Sequence, residues 1–293
     1  MIFLLLSFLS FFMRTLCNKE YTRHFTARET NLFFNAVNLS ITCVISAVCG
    51  GFVLPSPLVL LLASLFGIIF VITVYLLLIS YSKGPMGLVA LIFGMSSIVP
   101  TTVGLTLFQE PLNLLKGLGL IAMIVVVILS WRDGEAKGSK SRYIPAKIWL
   151  PVTLLTTLIN GALSTLQKMM VQWAPETSVM VFNFWGFLIG STLCWIILLI
   201  HKARGGHFPE VTSKPKAFLV SAGLCGLGSS GGNILIMYAL QQLPASIVNP
   251  VLSTMSTVSL YLVSIFYYKE GRTRYGYLMV AIGVLSIVLL GIS

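Results

Sequence analysis

The feature that most constrains this chain is a series of ten apolar runs, each of about the length that a helix needs to cross a bilayer. A transmembrane helix needs about 20 mainly apolar residues, and continuous apolar runs indicate helices, whereas barrel strands alternate. Only 9% of the residues are charged, against about a quarter in soluble proteins. The sequence therefore predicts an all-α membrane protein with ten transmembrane helices. The runs are approximately 1–17, 30–51, 57–82, 85–108, 113–131, 147–172, 177–201, 216–241, 244–268 and 274–292.

The connections between these runs are short. The longest polar ones are 132–147 and 202–216, which leaves no room for a separate catalytic or nucleic-acid-binding domain. The first run begins at Met1 without a preceding basic residue or a following small-residue cleavage site. We interpret it as a first transmembrane helix and not as a signal peptide.

A twenty-residue segment of the first half recurs in the second half. The segment 91–110 aligns with 251–270 at an offset of 160, so that Glu110 falls on Glu270. Such repeats are typical of membrane transporters. Because each half holds five spans, an odd number, the second half should enter the membrane inverted. The predicted division is a first five-helix repeat at 1–131, a cytoplasmic linker at 132–146 and a second five-helix repeat at 147–293.

The positively charged residues of the chain are concentrated in alternate loops. The net charge is +11, and 17 of the 19 Lys and Arg residues fall in or beside the loops between helices 1–2, 3–4, 5–6, 7–8 and 9–10. This is the positive-inside bias, and it predicts that these loops are cytoplasmic and that both termini lie outside. The basic charge is therefore attributed to topology and to anionic lipid, and no nucleic-acid partner is expected.

Polar residues inside the apolar runs are the candidate substrate-binding residues. A polar group in hydrocarbon is costly unless it is paired or faces a water-filled cavity. Small hydroxyl residues also serve helix packing, and that alternative stays open for each of them. The candidates lie on helices 4, 6, 8 and 9: Ser96, Thr101, Asn160, Ser164, Gln167, Asn233, Asn249, Ser253 and Ser256.

Two pairs of opposite charge are related by the repeat. Helices 1 and 6 are expected to end in an amide followed by a lysine, Lys19 and Lys168, and the two fourth helices end in Glu110 and Glu270. The charge-derived topology places Lys19 with Glu270 on one side and Lys168 with Glu110 on the other. We hypothesise that each pair closes a gate, while interfacial anchoring of the side chains is the alternative.

The chain resembles the drug/metabolite transporter superfamily, specifically members with two EamA-type repeats. The resemblance is carried by the duplicated ten-span layout, by the two glutamates, and by the glycine-bearing fifth helices near Gly117 and Gly276. It implies secondary transport of small metabolites or drugs, usually outward, through a cavity lined by helices 1, 3, 4, 6, 8 and 9. Bacterial members generally have cytoplasmic termini, so the charge distribution here departs from the family. We expect a multi-pass protein of the plasma membrane, the inner membrane in a bacterium.

The positions of the charged residues limit which classes of substrate are expected. None of the eight acidic residues falls at mid-membrane, which disfavours proton-coupled export of cations. A phosphate-bearing substrate would need a deep Lys or Arg, and Lys83, Lys116 and Lys168 are expected at helix ends. An amide- and hydroxyl-lined site favours neutral or zwitterionic, amino-acid-like solutes.

Other functions and partners are weighed against this transporter. The three histidines lie in polar connections and the five cysteines have no metal-ligand spacing, so no enzyme, metal or cofactor is expected. A multidrug or lipophilic-cation exporter and a non-transporting scaffold remain alternatives. The sequence also leaves open whether the chain forms a homodimer.

Overall fold

The computed structural model describes residues 1–25, 28–84, 89, 92–138, 146–205, 215–267 and 273–292. Ten α-helices and no strand lie within this described part. A π-helical turn, Ala47–Gly51, extends the second helix, and a 3-10 turn, Met95–Ser97, leads into the fourth. The helices are α1 (Ile2–His24), α2 (Arg28–Ser46), α3 (Pro57–Lys83), α4 (Ile98–Thr106), α5 (Leu114–Gly138), α6 (Ala146–Trp173), α7 (Val179–Ala203), α8 (Pro215–Gln242), α9 (Ala245–Phe266) and α10 (Arg274–Ile292).

The helices have the length and composition of membrane spans. Within the described residues, 7 helical segments are long and apolar enough to cross a bilayer. Shorter apolar helices cover Ile92–Thr106, Leu114–Val126 and Arg274–Leu290. The prediction of an all-α, multi-pass membrane protein is therefore confirmed.

Helices α1 and α5 continue beyond the apolar runs that predicted them. The first run was expected to end at residue 17 and the fifth at 131, whereas the helices end at His24 and Gly138. The added residues include Lys, Glu, Arg and Ala, which are good helix formers, so the helix outlasts the apolar pattern. The expectation that the first and sixth helices end at their lysines is wrong, because Lys19 and Lys168 lie inside α1 and α6.

The chain divides into two compact units that each combine both halves of the sequence. Unit 1 is Met1–Ser82 with Leu166–Gln241, and unit 2 is Lys83–Thr165 with Gln242–Ser293. Helix α6 contributes its first part to unit 2 and its last two turns to unit 1. The compact units thus differ from the predicted repeats, and the repeat division itself stays a prediction.

Glycines set the close helix contacts of unit 1. A Cβ on Gly190 would lie 3.0 Å from the Gly67 carbonyl oxygen, which brings α3 and α7 together, and a Cβ on Gly228 would lie 2.6 Å from the Ser10 carbonyl oxygen. Small residues allow helix backbones to approach in lipid, where van der Waals packing drives association. Helix α8 is therefore held directly against α1.

In unit 2 the closest approach is between α5 and α10. The Ser286 hydroxyl donates to the Gly119 carbonyl at 2.8 Å. A Cβ on Gly119 would lie 2.7 Å from the Leu290 side chain. Tyr261 of α9 and Met279 of α10 are buried in the same core cluster, so α9, α5 and α10 form one packed group.

Candidate functional site

Asn160 lies at the centre of a polar cluster in unit 2. Its Nδ2 donates to the Ser96 hydroxyl at 2.9 Å, and the Ser164 hydroxyl makes a long contact of 3.5 Å with the Asn160 carbonyl. The two helical segments can approach because residue 161 is glycine: a Cβ there would lie 2.9 Å from the Ser96 carbonyl oxygen. Three of the predicted residues are therefore joined.

Helix α9 also contacts the chain at the start of the 3-10 turn that contains Ser96. The Ser253 hydroxyl donates to the carbonyl of Gly94, two residues before Ser96. A Cβ on Gly94 would lie 2.9 Å from the Thr257 hydroxyl. The glycine therefore lets two hydroxyl groups of α9 approach the backbone at the start of the 3-10 turn.

The other predicted residues of unit 2 do not join this cluster through hydrogen bonds between described residues. Asn249 Nδ2 donates to Ala245 within its own helix at 3.1 Å, and the Ser256 hydroxyl donates to Leu252 at 2.8 Å. The Thr101 hydroxyl is buried without a hydrogen-bond partner in the described part of the chain. Thr101 thus keeps both donor and acceptor capacity.

A buried amide pair links α6 to α8 in unit 1. Gln167 Nε2 donates to Asn233 Oδ1 at 2.9 Å, and Asn233 Nδ2 donates to the Ser229 carbonyl at 2.7 Å. Both amide side chains are buried. Two of the predicted residues therefore contact each other and leave the Gln167 carbonyl group as an acceptor. Buried polar networks of this kind fix side-chain positions because unpaired members are costly.

The four predicted gating residues differ in their structural surroundings. Lys19 Nζ donates to the Tyr81 carbonyl at 3.2 Å, one of the last four carbonyls of α3, where a cation is favourable. Lys168 is buried, at 3% exposed. Glu270 lies outside the described residues. The two gating pairs therefore stay a prediction.

Glu110 caps the beginning of α9. Its two carboxylate oxygens accept hydrogen bonds from the backbone N–H groups of Ala245 at 2.7 Å and Ser246 at 2.9 Å. The first N–H groups of a helix have no partner within the helix, and the helix dipole favours an anion there. This contact gives Glu110 a structural role that the sequence did not indicate.

Three features of the local chain hold Glu110 in this position. Gln109 has a positive φ of 49°, which turns the chain at the end of α4. Gly104 leaves space, since a Cβ there would lie 2.8 Å from Glu110 Oε2. Lys116 Nζ donates to the Pro111 carbonyl at 2.7 Å and to the Ser246 hydroxyl at 3.1 Å. Lys116, the third residue of α5, is thus a buried bracing residue that links Pro111 to the start of α9.

Arg14 is the residue that the sequence analysis missed. The charge count of the sequence assigns Arg14 to the loop between helices 1 and 2, but the residue lies well inside α1. Its guanidinium carbon lies 5.0 Å from the centroid of the Phe70 ring, and the Cys225 thiol contacts its carbonyl at 3.6 Å. The available signal was the helix formers Lys19, Glu20 and Arg23, which favour a helix that continues past Cys17 and so places Arg14 farther from its end.

No metal-binding constellation is found among the described residues. Within that part of the chain, no group of three or more His, Cys, Asp or Glu side chains is arranged to hold a metal ion. The polar groups that join the predicted binding residues are amides and hydroxyls. Amides and hydroxyls can both donate and accept hydrogen bonds to a small solute.

Comparison with known proteins gives a family and a fold. Residues 147–292 match the EamA-like transporter family, whereas no curated protein matches the chain. Chains of solved structures also match, 28 in number. One crystal structure aligns with a TM-score of 0.68 over 99% of this chain and 96% of the other, at 11% sequence identity. That identity establishes likeness of fold alone. By its family match and its helical architecture, this chain belongs to the EamA-like transporter family.

Proposed function

We propose that this protein is a secondary transporter that exports small neutral or zwitterionic, amino-acid-like metabolites across the plasma membrane by alternating access. Its family is one of membrane transporters and not of enzymes. Membership implies a small-molecule substrate and a lipid bilayer as surroundings. The substrate class, the direction and the mechanism are our additions.

The observation that carries the proposed substrate class is the pair of uncharged amide side chains on α6, Asn160 and Gln167. This helix directs Asn160 to a hydroxyl in unit 2 and Gln167 to an amide in unit 1. Amides and hydroxyls both donate and accept, so they can exchange these internal bonds for bonds to a polar solute. A site that only needed packing would be expected to use apolar or small residues there, because a buried polar group costs free energy.

The nine predicted binding residues support this assignment to different degrees. Ser96, Asn160, Gln167 and Asn233 are the best-supported candidates, since each bonds a polar side chain on another helical segment. Thr101 adds an unpaired hydroxyl. We retain the remaining residues as further candidates: Ser164, Asn249, Ser253 and Ser256.

The positions of the acidic residues favour this proposal over cation export. The acidic residues of the described part all lie at or near helix ends or between helices: Glu20 in the last turns of α1, Glu29 in the first turn of α2, Glu110 after α4, Asp133 and Glu135 in the last turns of α5, and Glu176 between α6 and α7. A buried carboxylate that exchanges a proton for a lipophilic cation would be expected in the middle of a span. The described helices present none there.

A thermal-shift screen of the purified protein tests the proposal. The probes are amino acids, nucleosides, sugars, vitamins and lipophilic cations, because a ligand that binds the folded state raises its unfolding temperature. We expect a shift with one neutral or zwitterionic class that is lost in Asn160→Ala or Asn233→Ala. Thr102→Ala is the control, since its hydroxyl is exposed and bonds only its own helix at 2.9 Å.

The alternatives give different results in the same screen. A shift with lipophilic cations alone would replace the proposal with multidrug export. No shift with any probe would favour a non-transporting scaffold. If both asparagine variants show the same shift as the wild type, Asn160 and Asn233 are not binding residues. The proposed solute class would then be retained without them.

A further inference from the structure

We propose that Arg14 binds a carboxylate group of the transported solute in the middle of the membrane. This inference rests on the proposed function and adds to it, because it assigns the charged end of a zwitterion to one residue. It follows from the depth of the guanidinium, from its surroundings and from the charge of the neighbouring groups.

The guanidinium of Arg14 lies at mid-membrane depth. Arg14 is eight residues before Thr22, the end of the apolar span Ile2–Thr22, or about 12 Å at a rise of 1.5 Å per residue. Its side chain contacts the ring of Phe70, the central residue of α3, which spans Pro57–Lys83. A side chain reaching for the interface would contact a residue near a helix end. Interfacial anchoring therefore does not explain this arginine.

The Arg14 side chain is enclosed by helices and not directed to lipid. The Phe70 ring comes from α3, and the close approach of Gly228 places the backbone of α8 against it: a Cβ on Gly228 would lie 3.0 Å from the Arg14 Cβ. Tyr81 and Cys225 are its electrostatic neighbours. The residue is partly accessible, so its side chain is not sealed off from a small solute.

Arg14 has hydrogen-bonding capacity that the described protein leaves unused. Its Nε is buried and has no hydrogen-bond partner within the described residues. A guanidinium carries five N–H donors in a planar fork, and the cation–π contact with Phe70 uses none of them. Glu20, the acidic residue of α1, is paired with His24 at 3.9 Å. An unpaired buried cation is costly, and an anionic ligand would compensate that cost.

The surroundings favour a carboxylate over a phosphate. A carboxylate carries one negative charge and accepts two parallel N–H bonds from a guanidinium, whereas a phosphate monoester carries nearly two charges at neutral pH. Lys19, the nearest cation on α1 in the C-terminal direction, is bonded to the Tyr81 carbonyl at 3.2 Å. Lipid phosphates lie outside the hydrocarbon core, more than about 15 Å from the bilayer centre, away from the level of Phe70.

The test compares acids with matched amides on purified protein. The probes are leucine, phenylalanine and serine, the α-carboxamide of each, and inorganic phosphate, with unfolding temperature measured against concentration. The variants are Arg14→Gln and Arg14→Lys. Arg274→Gln is the control, because Arg274 also lies over an aromatic ring, Tyr275, at 5.0 Å from its centroid but is exposed.

We expect at least one amino acid to bind the wild type about tenfold or more tightly than its amide, the usual effect of a charge-assisted hydrogen bond. Arg14→Gln should lose this preference and, without ligand, unfold at the same temperature as the wild type or higher, since an unpaired buried charge is removed. Arg14→Lys should retain part of the preference, and Arg274→Gln all of it.

Several results would overturn the inference. These are equal binding of acid and amide by the wild type, an unchanged acid preference in Arg14→Gln, stabilisation by phosphate alone, and no stabilisation by any acid. Flux of the bound amino acid in proteoliposomes separates the two proposals. Flux that does not depend on Arg14 rejects the carboxylate site alone, and an Arg14-dependent acid preference without flux rejects transport alone.

Discussion

Removal of the Glu110 carboxylate should destabilise the protein through the start of α9. In Glu110→Ala the backbone N–H groups of Ala245 and Ser246 lose acceptors at 2.7 and 2.9 Å. Hydrogen bonds to charged groups contribute about 1.5–3 kcal/mol each. Glu110 is partly exposed, which favours the lower value, so the two bonds together stabilise the folded state by about 3 kcal/mol. Glu110→Gln keeps one acceptor oxygen and should lose about half of this.

The measurement is thermal unfolding of purified variants in one detergent. With about 2–4 °C per kcal/mol for a chain of this size, Glu110→Ala should unfold about 6–12 °C below the wild type. Glu176→Ala is the matched control, since Glu176 is exposed in the turn between α6 and α7, and it should leave the unfolding temperature unchanged. Equal effects of the two substitutions, or a loss of transport in Glu110→Ala without destabilisation, would refute the capping role.

Three further predictions follow from the same contacts. Gly104→Ala should displace Glu110 and lower the unfolding temperature, because its Cβ would lie 2.8 Å from Oε2, whereas Gly117→Ala meets nothing within 4 Å and should not. Gly228→Ala should cost about 1–3 kcal/mol by separating α1 from α8, and Gly223→Ala, also free of neighbours within 4 Å, is its control in the same unfolding assay. If Lys168 and Glu110 form a gate, exchanging both charges should restore flux in proteoliposomes that either single exchange removes. Without that restoration, Glu110 is a cap alone.

The helical membrane fold was predictable because the hydropathy of a segment indicates whether it lies in lipid or in water. Ten apolar runs gave ten helices in the described residues, with most boundaries within a few residues. Errors arose where a helix leaves the apolar pattern, as at the end of α1. The hydropathy of the chain falls before Lys19, but the backbone hydrogen bonds continue to His24. That difference concealed the depth of Arg14.

The partners of the candidate residues were less predictable than their positions. Asn160, Gln167 and Asn233 stood out because amides are rare in hydrocarbon, but their contacts depend on which helices pack together. The role of Glu110 depends on a positive φ at Gln109 and on the space above Gly104. A pattern of residue types contains neither, so the sequence suggested a gate, which stays a prediction, and gave no indication of the helix cap.

Solute counterflow in proteoliposomes tests the central claim most directly. Vesicles loaded with the unlabelled amino acid that binds most tightly should take up the labelled compound transiently and saturably. Asn233→Ala, which removes the acceptor of Gln167 Nε2, should reduce this uptake, and Thr102→Ala should not. Uptake no greater than in protein-free vesicles, for every solute that stabilises the protein, would contradict the account of this chain as a metabolite transporter.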